Sequence, residues 1–157
     1  MRTHETGKGA SHEFVAADET VRSSCCAKRD GDRARQLRDR ALSQELKLVL
    51  SGSQEIPPVT TAASGTATIT VSADKTVSGN ATIAGMAVTV AHIHEGGAGS
   101  NGPIILPLVK TADHVWSVPP GARLSDSQYD SYKAGKLYFN IHSEAHRSGE
   151  IRGQIKP

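Results

Sequence analysis

From Leu46 onward the chain alternates apolar and polar side chains with a period of two. Leu46, Leu48 and Leu50 fall on one side, and Lys47, Val49 and Ser51 on the other. Successive strand side chains point to opposite faces, so this pattern predicts a strand with one buried face. Pro57 and Pro58 then forbid regular pairing. Alternation resumes over residues 65–72, with Ala67, Ile69 and Val71 facing one way and Thr66, Thr68 and Thr70 the other. A turn at residues 73–76 and a return strand over 77–83 complete a predicted hairpin.

Residues 88–94 predict a further strand. Val88, Val90, His92 and His94 share one of its faces, and Thr89, Ala91 and Ile93 the other. Glycines and an asparagine crowd residues 95–103, which predicts an irregular loop. Residues 104–109 and 114–118 read as two strands around a turn at 110–113, and Pro119, Pro120 and Gly121 end that region. Ser125 is the expected N-cap of a short helix reaching Lys133, with Gly135 closing it.

Over residues 136–143, Leu137, Phe139 and Ile141 oppose Tyr138, Asn140 and His142; over 149–156, Ile151 and Ile155 oppose Glu150, Arg152 and Gln154. The expected fold class is therefore all-β: an antiparallel Greek-key sandwich or barrel of seven to eight strands with one short helix.

Composition sets the domain boundary. Residues 1–46 hold 9 Lys+Arg and 8 Asp+Glu, half the chain's charged side chains in under a third of its length, whereas the remainder is rich in Val, Ile, Thr and Gly. Within that segment residues 30–45 offer a helix only Leu37 and Leu42 as an apolar stripe. Residues 1–45 are accordingly expected to be a disordered or poorly ordered charged tail, and 46–157 a single domain with one core.

The net charge of +2 provides no strong field, which argues against nucleic acid or an anionic membrane surface as partner. No apolar run approaches the length of a membrane span. The first thirty residues lack the apolar run of a signal peptide, and Glu5, Glu13, Asp18 and Glu19 are unlike an organelle transit peptide. Cys25 and Cys26 are adjacent in the tail, so the domain itself contains no disulfide.

The candidate chemistry lies in the histidines. His4 and His12 belong to the tail and His114 stands alone, but His92, His94, His142 and His146 form two clusters on or beside strands. A His-x-His strand places two imidazoles on one face at a spacing that one metal ion bridges, and neutral imidazole is the commonest transition-metal ligand. His142, on the polar face of its strand, is the expected third ligand. His146 lies past the strand end and joins as a fourth only if residues 143–148 fold back; otherwise it is a surface residue.

The alternative keeps His92 and His94 as half-buried residues bonded to Glu95, Glu150 or backbone carbonyls, without metal. Glu150 and Arg152 either orient the histidines or pair with each other. No catalytic group stands out. Asp113 and His114 are neighbours that point to opposite faces of a strand, Ser143 lacks a Gly-x-Ser-x-Gly context, and residues 96–102 do not follow the pattern of a phosphate cradle.

Five stretches together resemble the chordin-type CHRD domain. They are Gly-Ser-Gln-Glu-Ile-Pro-Pro-Val from Gly52, Ala-His-Ile-His-Glu-Gly from Ala91, Asn-Gly-Pro-Ile from Asn101, Gly-Lys-Leu-Tyr-Phe-Asn-Ile-His-Ser from Gly135, and Gly-Glu-Ile-Arg-Gly-Gln from Gly149. They run in order through the domain, and the resemblance implies a secreted or periplasmic protein of the single-domain bacterial type. The stretch beginning His92-Ile93-His94-Glu95 also resembles the copper-ligand strand of copper/zinc superoxide dismutase. That likeness implies copper on His92, His94 and His142, with His146 a fourth ligand. Residues 96–103 contain no histidine to bridge to a zinc.

Three functional readings follow. The first is a non-catalytic binding module with a histidine-rich transition-metal site, copper before zinc because imidazoles predominate over thiolates. The second is a copper-dependent redox enzyme of the dismutase kind. The third is a metal-free protein-interaction domain that meets a protein partner through an edge strand or the Gly-rich loop.

Overall fold

The computed structural model describes residues 44–157. The predicted tail, including Cys25 and Cys26, lies outside the described residues except for its last two, and Glu45 already opens the first strand. Nine strands and one helix follow: β1 (Glu45–Ser51), β2 (Ser64–Val71), β3 (Val77–Ala84), β4 (Val88–Glu95), β5 (Ile104–Pro107), β6 (Val109–Ala112), β7 (Val115–Ser117), α1 (Asp126–Lys133), β8 (Leu137–Ser143) and β9 (Ile151–Ile155).

All strand pairings are antiparallel, and the strands form one sheet in the order β5-β4-β8-β9-β1-β2-β3-β7-β6. The two strands at the ends of that order, β5 and β6, are separated in the chain by Leu108 alone. A sheet whose first and last members are joined by one residue must curl until its ends approach. The result is a nearly closed barrel, which removes most of the exposed edge. Leu108 marks the seam: its amide still donates to Ala91 of β4, while Val109 already pairs with Ser117 of β7.

This seam accounts for the ninth strand. The first three residues of the expected turn at 110–113 belong to strand β6, and the turn lies at Asp113 and His114. His114, expected to open a strand, has φ of 64°, a left-handed turn conformation rather than an extended one. It is exposed.

The core follows the period-two pattern. Leu50, Ala67, Ile69, Val71, Val77, Ala81, Ile83, Ala91, Ile93, Leu137, Phe139, Ile141, Ile151 and Ile155 all point inward and are buried. Helix α1 carries a capping box: Ser125 Oγ accepts from the Gln128 amide, and the Gln128 side chain accepts from the Ser125 amide.

Candidate metal centre

Strands β4 and β8 pair in a register that sets Val90 against His142, His92 against Asn140 and His94 against Tyr138. Residues directly opposite share a face. His92, His94 and His142 therefore emerge on the same, outer face, and their rings lean together. Ring centroids lie 5.7 Å apart for His92 and His94, 5.1 Å for His92 and His142, and 6.1 Å for His94 and His142. One ligating nitrogen from each of the three lies within 4.8 Å of the other two, so the group can hold a metal ion.

Backbone carbonyls decide which nitrogen each ring presents. His94 Nδ1 lies 2.9 Å from the Gly102 carbonyl oxygen, and His142 Nδ1 lies 2.9 Å from that of Arg147. A carbonyl only accepts, so both Nδ1 atoms carry the proton and both Nε2 atoms present a bare lone pair. His94 Nε2 is buried and has no partner. His142 Nε2 faces His92 Nδ1 at 3.3 Å, a contact in which the His92 N–H donates. An orphaned buried lone pair beside two further imidazoles is a donor set that fits a metal ion.

Electrostatics favour the neutral rings that a metal needs. Burial, followed by the neighbouring His142 and His94, pushes the pKa of His92 below its ordinary value. For His94 burial again dominates; the Gly102 hydrogen bond opposes it, and His142 and Arg152 add to the lowering. His92 is partly exposed whereas His94 and His142 are buried, so the group is open to solvent on the His92 side.

His146 is not one of the three. Its backbone closes the turn after β8: the amide donates to Ser143 Oγ, and the carbonyl accepts from the amides of Ser143 and Gly149. Glu150 and Arg152 do not pair, as no ion pair joins them among the described residues. Glu150 accepts from Thr61 Oγ1 at 2.6 Å and from Ser143 Oγ. Burial alone would raise its pKa, but these two hydroxyls and His146 hold the carboxyl below the usual range.

Three further features of this face had no counterpart among the predicted site residues. Gly102 supplies the carbonyl under His94, and Arg147 the one under His142. Glu55 is buried, and burial raises its pKa against the opposing effects of the Ile56 amide and Arg152. The only sequence signals for these were the Asn101-Gly102-Pro103 and Gln54-Glu55-Ile56 segments within the recognised stretches.

Comparison with curated proteins gave no match, and neither did comparison with solved structures. A family model did match: the CHRD domain, over residues 46–155. That interval spans all nine strands apart from Glu45, the helix and the three converging histidines. The chain belongs to the CHRD domain family.

Proposed function

We propose that this CHRD domain is a transition-metal-binding module whose ligands are His92, His94 and His142, with copper preferred to zinc. The observation that carries the reading is the pair of Nε2 lone pairs left free of a proton because backbone carbonyls take the Nδ1 protons, one of the two nitrogens being buried with no partner. The choice of copper rests on a donor set made only of imidazoles, with no thiolate or thioether in the group. His92 adapts most easily, because its half-exposed ring must exchange its contact with His142 for the metal. A secreted or periplasmic setting goes with this family; no helix among the described residues is long and apolar enough to cross a membrane.

Titration calorimetry of the full chain with copper or zinc at neutral pH tests the proposal. It predicts one equivalent bound, and loss of that equivalent in a His92→Ala, His142→Ala double variant. Absence of uptake, or uptake unchanged in the double variant, refutes it. The partly exposed His92 and a ligand count of three favour one second reading, a copper-dependent redox enzyme of the dismutase kind, in which a free position admits substrate. Superoxide turnover by the copper-loaded chain, lost in the same double variant, supports that reading; a loaded chain without turnover rejects it.

A further inference from the structure

Arg152 is almost completely buried, yet no ion pair joins it to a carboxylate among the described residues. A guanidinium taken out of water needs its donors satisfied in another way. Most of them are satisfied by a single loop. Nη2 donates to the carbonyls of Gly97 and Ser100, each at 3.0 Å, and Nη1 donates to Asn101 Oδ1 at 3.2 Å. A further Nη2 contact, to Gln154 Oε1 at 3.1 Å, stays on its own strand.

That loop ends at Gly102, whose carbonyl accepts the His94 Nδ1 proton. The same guanidinium lies over the Tyr138 ring, 3.5 Å from Cζ to the ring centre. Tyr138 in turn stacks on His94 at 5.0 Å, and its hydroxyl accepts the Gly102 amide at 3.1 Å. Arginine, loop, tyrosine and histidine thus form a closed circuit. We infer that Arg152 is a positioning residue for the metal centre, holding the 97–102 loop so that the Gly102 carbonyl keeps His94 in the Nδ1–H form with Nε2 toward the metal. This rests on reading His94 as a ligand.

The inference depends on the planar fork of arginine, which reaches three acceptors on the loop at fixed angles where a lysine ammonium offers a point charge. Arg152→Lys therefore keeps the charge and removes the geometry. The full chain is compared with Arg152→Lys and with Asn101→Ala, a change at an exposed loop position that deletes one of the acceptors. Two quantities are measured: the histidine tautomers of the metal-free protein, by long-range proton–nitrogen correlation, and the affinity for zinc(II).

In folded Arg152→Lys, His94 is expected to show a mixture of tautomers, and zinc affinity to fall about 10-fold. His142, held by the Arg147 carbonyl, should keep its tautomer, which separates this effect from general loosening. Asn101→Ala should shift both readouts in the same direction by less, and it decides the matter if Arg152→Lys does not fold. An unchanged His94 tautomer and unchanged affinity in either folded variant overturn the inference. If the wild-type chain takes up no zinc, the tautomer comparison alone upholds or overturns the link from Arg152 to His94, and the metal reading falls only if copper is not taken up either.

Discussion

The β1–β2–β3 meander and the β4–β8–β9 group belong to one sheet, but they treat their outer faces differently. In the meander, Ala67, Ile69, Val71, Ala81 and Ile83 are buried, while Val49, Thr66, Asn80 and Thr82 on the opposite face are exposed. In β8 every residue from Leu137 to Ser143 is buried, the polar ones included. The difference arises because loops cover the outer face of the second group and leave that of the first open to water. Covered polar side chains must find partners inside the protein, and that requirement gathers the histidines, Asn140 and Arg152 into a connected layer.

The sharpest contrast should come from truncating one residue in each region. Phe139, at 0% exposure, packs in the core from β8. Phe139→Ala should cost about 3–5 kcal/mol through lost burial and a residual cavity. Val49 is 64% exposed on the meander's outer face, and Val49→Ala should stay within about 0.5 kcal/mol. Chemical denaturation of the two variants measures both. Near-equal losses would contradict the assignment of one face to water and the other to protein.

Much of this contrast is legible in the sequence, and its limits are physical. Period-two alternation put Ile93 and Ala91 inward and His92 and His94 outward, and it set His142 on the polar side of β8. The backbone register then brings those three rings together. Alternation shows which face a residue takes, but not whether that face is covered, so the burial of Asn140 and Arg152 was not visible. The division of one extended run at Leu108 depends on which distant strands pair with its two ends, and adjacent residues carry no mark of that. The carbonyls of Gly102 and Arg147 carry no mark in the sequence because every residue has one, and only folding selects two.

Glycine substitutions sharpen the comparison within the covering loop itself. A Cβ at Gly102 would lie 1.6 Å from the Glu95 carbonyl oxygen, whereas a Cβ at Gly97 would meet nothing within 4 Å. Gly102→Ala must push apart two backbone segments and displace the carbonyl under His94. It should cost roughly 2–3 kcal/mol, at the upper end of overpacking effects, and weaken metal uptake. Gly97→Ala should remain within about 0.5 kcal/mol, with uptake intact. Thermal melts and metal titration of the pair give the check.

Acid should also act on the covered face before the open one. His92 and His94 have pKa values below the ordinary histidine value, so near that value the unfolded chain binds more protons than the folded one. Their contribution to stability is therefore complete above about pH 6.5 and is lost as the pH falls through the depressed folded values. The melting temperature of the metal-free protein should rise between pH 5 and pH 7.5. A His92→Gln, His94→Gln variant should flatten that rise, while Thr66→Ala leaves it unchanged. Protons compete for the same nitrogens, so metal affinity should fall over the same acid range.

The smallest effect expected on the covered face lies at the turn under His142. Ser143 Oγ donates to Glu150 and accepts the His146 amide at 3.1 Å. Ser143→Ala leaves a buried carboxylate oxygen and a turn amide each short of one partner, which should cost about 1–2 kcal/mol. With one of its two hydroxyl donors gone, burial weighs more on Glu150 and its pKa should rise from its lowered value. The stability that Glu150 lends above about pH 4.5, and loses as acid protonates it, should shrink accordingly. Thr66→Ala removes a hydroxyl of similar chemistry from the open face, where water replaces it, and should cost no more than about 0.5 kcal/mol. Equal losses for the two hydroxyls would mean that water reaches the turn beside β8 as freely as it reaches the meander.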